Sequence, residues 1–154
     1  MTPEEKLASL GIELPQTPAP LGSYVPALTS GNLVFISGML PLRDGKLVRT
    51  GKFGDSLTVE EGAELARLAA INALSALKAH IGELGDVRRC VRLCGYIAST
   101  SDFTAQPSVL NGASELMAEV FGDAGRHARA AVGVSVLPLD SPVEIEFVFE
   151  VERA

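Results

Sequence analysis

The chain has 154 residues and a formal net charge of −6, so it is long enough for one domain with a sizeable core and lacks the basic surface of a general nucleic-acid binder. No stretch approaches the length of an uncharged transmembrane helix, and the first residues lack the apolar segment of a secretory signal peptide. We therefore expect a cytoplasmic protein with neither a membrane nor a nucleic-acid partner. Because the sequence has no Walker, dinucleotide-binding or metal-ligand motif, we expect no cofactor and no metal.

The first twenty residues predict a short helix and an extended arm. Thr2-Pro3-Glu4-Glu5 is a capping-box pattern with proline at the first helical position, and Gly11 is expected to end the helix. Three prolines among residues 14–20 favour an extended arm. We therefore divide the chain into an N-terminal helix with a proline-rich arm, residues 1–20, and a single domain, residues 21–154.

The rest of the chain predicts strands and helices in alternation. Asp44-Gly45 is a strong two-residue hairpin signal, and apolar residues recur every three or four positions in two long segments that end at glycines. The predicted elements are a strand at Leu33–Ser37, a turn at Arg43–Lys46, a polar loop at Lys52–Leu57, helices at about Val59–Ile81 and Pro107–Phe121, and strands at Val87–Ala98, Ala130–Leu137 and Val143–Glu152.

Cys90 and Cys94 are the two cysteines of the chain, and both fall in one predicted strand. A spacing of four in a regular strand places them on one face about 13 Å apart, which is too far for a disulfide. Two thiols alone do not make a zinc site. We expect both to be reduced and buried.

The last strand alternates between apolar and mostly acidic residues, which predicts one face on the core and one wet face. The element order ββαβαββ predicts an α+β sandwich, with two helices packed on one face of a mixed sheet. One layer of helices cannot cover both faces, and the other face would expose valine and alanine. We therefore infer an oligomer whose sheets pack together.

Two charged residues lie in segments that otherwise predict core. Arg129 stands near the start of one apolar strand, and Glu144 stands on the next strand across a short turn. A charge among buried neighbours is costly unless it is paired or binds a ligand. The pair predicts a site for a small anion, in which Arg129 holds a carboxylate and Glu144 handles a proton or a water. A salt bridge between the two strands is the structural alternative.

Several segments resemble the YjgF/RidA family, whose older names include the L-PSP endoribonuclease group. They are Gly22-Ser23-Tyr24-Val25, Phe35-Ile36-Ser37-Gly38, Asp102-Phe103, and Arg129 to Glu146 with its Leu137-Pro138 turn. The resemblance covers nearly the whole chain from Tyr24 onward, and the length is that of a longer branch of the family. It implies a chorismate mutase-like fold and a homotrimer with clefts between subunits. It also implies hydrolysis of 2-imino acids and their enamine tautomers, which pyridoxal-phosphate enzymes produce, to 2-oxo acids and ammonia.

The resemblance also assigns roles to individual residues. Arg129 falls on the family's carboxylate-binding arginine, and Glu144 falls on the glutamate proposed to position the hydrolytic water. The implied substrate-binding positions are Tyr24, Ser37, Gly38 and Asn111. Many members have a cysteine where this chain has Ala131, so a cysteine-dependent step is not available here.

Other functions stay open on the sequence. A non-catalytic trimer that binds small carboxylates, as a sensor or partner protein, would use the same arginine and glutamate. Endoribonuclease activity, the older family label, fits poorly with an acidic chain that has two histidines. Ser37 has no histidine at a recognisable triad spacing. His127, which lies between two arginines, is interpreted as a surface-loop residue.

Overall fold

The computed structural model describes residues 1–152. Its helices and longer strands lie close to the predicted bounds. The elements are α1 (Pro3–Ser9), β1 (Ala27–Ser30), β2 (Leu33–Met39), β3 (Leu42–Arg43), β4 (Lys46–Leu47), α2 (Val59–Ile81), β5 (Val87–Ala98), α3 (Gln106–Phe121), β6 (Ala128–Val134) and β7 (Val143–Val151).

Five strands form one mixed sheet in the order β1-β2-β7-β5-β6, and β3 and β4 form a separate hairpin. Neighbouring strands of the large sheet run antiparallel, except that β5 and β6 are parallel. Helices α2 and α3 pack against each other and against the strands of this sheet. The predicted α+β architecture, with two helices on a mixed sheet, is therefore confirmed.

The core lies between the sheet and the helices. The apolar residues of β7 are all buried, as the alternation predicts: Val143, Ile145, Phe147, Phe149 and Val151. The first helix belongs to the same core through Leu7, which is 2% exposed. Phe53 lies in the segment predicted as a polar loop, yet it is fully buried, with its ring centroid 5.5 Å from that of Phe103.

Three strand predictions need correction. The strand β1 was not predicted, although Gly31, with a φ of 64°, provides the turn that pairs it with β2. The strand β6 covers Ala128–Val134 and ends before Leu137, which lies in the connection to β7. This connection crosses β5, so β6 and β7 are not neighbours in the sheet.

The strand β5 contains two register shifts against β7, one between Val87 and Arg89 and one between Cys90 and Arg92. Cys90 pairs with Phe149 on the helix side, whereas Cys94 pairs with Glu146 on the opposite side. The prediction that both cysteines share one face is wrong, because the extra residue of a β-bulge changes the alternation. Both cysteines are free and buried, and burial raises the pKa of the Cys90 thiol to about 12.

The outer face, which we define as the side of the large sheet away from α2 and α3, exposes several large apolar side chains. Leu28, Phe35 and Val132 are 59%, 43% and 42% exposed there. Leu28 and Phe35 pair with each other on β1 and β2, whereas Val132 lies on the edge strand β6. Exposed apolar side chains of this size are typical of surfaces that bind another protein. No helix within residues 1–152 has the length and apolarity needed to span a membrane.

Candidate functional site

Glu144 lies on the outer side of β7, beside the irregular end of β2. It lines a small cavity of about 30 Å³, which has room for a water molecule. We call this cavity the glutamate cleft; its walls are Pro18, Ala19, Pro20, Leu21, Tyr24, Pro26, Gly38, Met39, Leu40, Leu42 and Glu144. The N-terminal arm thus forms one wall of the cleft, and the hydroxyl of Ser75 on α2 holds that arm by donating to the carbonyl oxygen of Pro15.

The carboxylate of Glu144 is half-buried, and no group within residues 1–152 donates a side-chain hydrogen bond to it or pairs with it as a cation. Burial raises its pKa, and the negative charge of Glu146 raises that pKa further. Glu146, by contrast, accepts a hydrogen bond of 3.0 Å from the Tyr96 hydroxyl. Glu144 is therefore the carboxylate of this face that is available to a ligand or a water.

Gly38 gives Glu144 its space. A Cβ atom at position 38 would lie 2.7 Å from Oε2 of Glu144, which is closer than real Cβ contacts. The register of β2 against β7 also shifts between Ile36 and Met39, so this glycine lies where the regular pairing is interrupted. The absence of a side chain here lets the carboxylate lie against the backbone of β2.

Tyr24 and Ser37 lie beside the glutamate cleft. The Tyr24 hydroxyl accepts a hydrogen bond of 3.0 Å from the backbone N–H of Leu21, and its side chain is half-exposed. The Ser37 hydroxyl donates to the carbonyl oxygen of Val25 at 2.6 Å. The Ser37 oxygen can still accept a hydrogen bond from a ligand. Within residues 1–152, no histidine or carboxylate side chain accepts its proton, so Ser37 is not activated as a nucleophile.

Arg129 lies on β6 and faces α3. Its Nη1 donates to the Ser114 hydroxyl at 3.0 Å, and its Nη2 donates to the carbonyl oxygen of Pro107 at 3.2 Å. Both partners are neutral, and no carboxylate within residues 1–152 pairs with the guanidinium. Asn111 is exposed on the helix face that also carries Pro107 and Ser114. We call Arg129, Ser114, His127 and Asn111 the arginine cluster.

His127 also belongs to this cluster. It lies in the loop before β6, as predicted, but it is half-buried. Its Nε2 lies 2.8 Å from the Ser114 hydroxyl oxygen, and its Nδ1 lies 2.7 Å from the carbonyl oxygen of Gly125. Only the fold reveals this contact, because residues 114 and 127 come from different elements.

One chain does not bring Arg129 and Glu144 together. Two strand spacings and three residues of register separate them, which places their Cα atoms roughly 14 Å apart, and their side chains lie on opposite faces of the sheet. The expectation that they face each other across a short turn is therefore wrong within one chain, because β5 lies between β6 and β7. The salt bridge between them is likewise not formed among the described residues.

Neither the glutamate cleft nor the arginine cluster contains a group of metal ligands. Within residues 1–152, no group of three or more histidine, cysteine, aspartate or glutamate side chains is placed to hold a metal ion. Among the described residues, the groups available to a ligand are thus one unpaired carboxylate, one guanidinium, and the hydroxyl and amide groups near them. This set suits a small molecule with a carboxylate.

The chain is similar to proteins of one family along almost its whole length. The family model described as "YjgF/chorismate_mutase-like, putative endoribonuclease" matches residues 4–151. Protein TCP17 of Trypanosoma cruzi is 44% identical over 148 residues, which are 96% of this chain and 92% of that protein. A crystal structure of a protein of unknown function from Agrobacterium tumefaciens has a TM-score of 0.91 at 42% identity and covers 99% of this chain and 93% of that one.

Two further proteins extend the comparison. A crystal structure from Shewanella oneidensis has a TM-score of 0.95 at 38% identity, with 98% of this chain and 100% of that chain covered. Reactive Intermediate Deaminase A of Arabidopsis thaliana, a chloroplastic protein, is 29% identical over 136 residues. That match covers 85% of this chain and 60% of the plant protein.

Proposed function

This chain belongs to the YjgF/RidA family, and we propose that it hydrolyses reactive 2-imino acids and their enamine tautomers to 2-oxo acids and ammonia. The observation that carries the proposal is the unpaired guanidinium of Arg129, which is held by two neutral acceptors. A guanidinium fixed in this way can bind a carboxylate through two parallel hydrogen bonds. The name of the plant relative, a reactive intermediate deaminase, supports the same chemistry.

In this proposal, Arg129 binds the carboxylate and thereby orients the adjacent imine carbon. Glu144 binds a water in the glutamate cleft and takes one of its protons as the water oxygen bonds to that carbon. Glu144 then passes this proton to the carbinolamine nitrogen. The C–N bond breaks, its electron pair leaves with ammonia, and the hydroxyl group gives its proton to Glu144 as the carbonyl of the 2-oxo acid forms. Tyr24, Ser37 and Asn111 contact the bound substrate. Because water is the nucleophile, the reaction needs no nucleophilic side chain.

We further propose that the complete site forms between two copies of the chain in a homotrimer. Arg129 and Glu144 cannot reach one substrate from within one chain, because they lie on opposite faces of the sheet. The exposed apolar residues of the outer face supply the surface that a second copy would bury. The arginine cluster of one copy would then complete the glutamate cleft of its neighbour.

Replacing Val132 with glutamate is expected to dissociate the assembly, because it places a charge at an exposed apolar position of the outer face, on the edge strand β6. Size-exclusion chromatography with light scattering should give three times the mass of one chain for wild type and one chain for the variant. Val48→Glu, at an exposed valine after the small hairpin, is the matched control and should leave the mass unchanged. A wild-type mass of one chain would refute the trimer.

Replacing Gly38 with alanine should lower kcat about tenfold, because the added methyl displaces the Glu144 carboxylate from its place beside the water. The KM should change little, since the arginine cluster is untouched. Gly85→Ala is the control, because a Cβ at that position meets no other atom within 4 Å. Equal kcat values for Gly38→Ala and wild type would show that the position of Glu144 does not matter.

The experiment that tests the function is a coupled assay. An amino acid oxidase generates imino acids in the presence of semicarbazide, and semicarbazone formation is followed with and without the protein. A lowered rate of semicarbazone formation across several amino acids supports the deaminase proposal. No effect on any imine, together with calorimetric binding of 2-oxo acids, would overturn it in favour of a non-catalytic carboxylate-binding protein.

The same preparation should be incubated with RNA, because the matching family model has an endoribonuclease description. A net charge of −6 disfavours binding to a phosphate backbone. We therefore expect no cleavage at protein concentrations that give full imine hydrolysis.

A further inference from the structure

His127 and Ser114 form a chain of hydrogen bonds that ends on Arg129. The carbonyl oxygen of Gly125 can only accept, so the contact at 2.7 Å assigns the ring proton of His127 to Nδ1. In this tautomer, the other nitrogen, Nε2, carries a lone pair and accepts the Ser114 proton at 2.8 Å. With its proton directed to the ring, the Ser114 oxygen presents its lone pairs to Nη1 of Arg129 at 3.0 Å.

We propose that this chain of hydrogen bonds makes His127 and Ser114 positioning residues for the guanidinium of Arg129. The inference rests on the proposed function, since it concerns how the carboxylate of the substrate is held. Neither residue touches the reacting atoms. Their effect is to hold Nη1 in one place, while Pro107 holds Nη2 at 3.2 Å, so that the remaining N–H groups face a ligand in a fixed orientation.

The end of this series of hydrogen bonds that lies away from Arg129, the carbonyl of Gly125, is held by close packing. Gly125 is buried in the short 3-10 helix Gly122–Gly125, and a Cβ on it would lie 2.1 Å from the carbonyl oxygen of Met117 on α3. This close packing fixes the Gly125 carbonyl relative to α3. Ser114 lies on the same helix, so both hydrogen-bond partners of the His127 ring are fixed in position relative to α3.

The arrangement is not a catalytic triad. The partner of His127 Nδ1 is a backbone carbonyl, and no carboxylate within residues 1–152 accepts from the ring. A carbonyl fixes the tautomer without stabilising a positive charge on the imidazole as a carboxylate would. Ser114 also lies within the helix α3 and accepts from Arg129. A histidine whose two ring nitrogens both have hydrogen-bond partners fits a positioning role.

Four variants test the inference: Ser114→Ala, His127→Phe, His127→Gln and, as the matched control at the other histidine, His80→Gln. Ser114→Ala and His127→Phe should raise the KM for imino acids, and the Kd for pyruvate, about tenfold while kcat changes less than threefold. His127→Gln keeps an acceptor for the Ser114 proton and should stay within threefold of wild type. His80 contacts Thr29 on β1 at 2.7 Å, so its variant should match wild type.

Thermal unfolding of each variant shows whether the fold is kept, and Ser114→Ala, a helix-compatible change, serves if His127→Phe does not fold. Wild-type KM and Kd values in Ser114→Ala, or a fall in kcat without a change in KM, would overturn the inference. An equal loss in His127→Gln and His127→Phe would also overturn it. If wild type neither hydrolyses imines nor binds pyruvate, the proposed function fails instead.

Discussion

Replacing Arg129 with alanine is expected to lower kcat/KM for imino acids by about 10²–10³-fold, with most of the loss in KM. Removing one partner of a charge-assisted pair costs on the order of 3–4 kcal/mol, which corresponds to this range. The guanidinium is half-buried and has no carboxylate partner within residues 1–152, so its removal breaks no ion pair in the described part of the fold. Steady-state kinetics and calorimetry with pyruvate measure both effects.

Two control variants separate charge from geometry. Arg129→Lys keeps the positive charge but loses the planar pair of donors, so its KM should lie between those of wild type and Arg129→Ala. Arg126→Ala removes a cation whose side chain is 84% exposed and whose nearest carboxylate, on Asp123, is 3.8 Å away. It should behave as wild type. Equal losses at positions 126 and 129 would mean that general charge, and not a specific carboxylate contact, is responsible.

Replacing Glu144 with glutamine is expected to lower kcat by about 10²–10⁴-fold, the usual range for loss of a general base. Binding of pyruvate should persist, because the carboxylate contact belongs to Arg129. The control is Glu150→Gln on the same face, since Glu150 accepts a hydrogen bond of 3.2 Å from Asn32 and lies outside the cleft. A variant at position 144 with wild-type kcat would remove the glutamate from the proposed mechanism.

The pKa of Glu144 adds a pH dependence with a definite sign. Burial first and the charge of Glu146 second raise this pKa above its ordinary value. The base is lost as the pH falls through the raised pKa, so kcat should fall on the acidic side at a higher pH than an ordinary glutamate would give. The acidic limb of the pH–kcat profile should therefore be shifted to higher pH.

The same shift governs stability in the opposite sense. The stability that the protonated carboxyl contributes is full below the unfolded pKa and is lost as the pH rises through the folded pKa. At neutral pH, the ionised Glu144 therefore opposes folding. We expect the melting temperature of Glu144→Gln at neutral pH to equal or exceed that of wild type. A clear decrease would show that the carboxylate has a structural partner.

The parts of the fold that follow local periodicity could be predicted from the sequence. The helix α2 and the strand β5 have the predicted ends, because apolar spacing and a terminal glycine are local signals. Local signals do not determine the order of the strands in the sheet. The strands β6 and β7 are consecutive along the chain, and the sequence between them does not predict that the connection crosses β5.

The candidate site shows the same division. Arg129 and Glu144 could be singled out because each is a charge among apolar neighbours. The sequence could not predict that their side chains lie on opposite faces of the sheet, because the face of a residue depends on how its strand pairs with its neighbours. The contact of His127 with Ser114 depends on packing of a loop onto α3, and a lone histidine in a glycine-containing loop carries no signal for it.

The register shifts in β5 determine which single-codon deletions the gene can tolerate. At Arg88 and at Val91, two residues of β5 lie opposite one of β7, so loss of either codon would leave a regular strand with every other side chain on its present face. Loss of a codon elsewhere, such as that of Gly95, would exchange the faces of all residues on one side of the gap. A deletion scan along β5 should therefore recover folded protein at these two positions and not between Leu93 and Ile97.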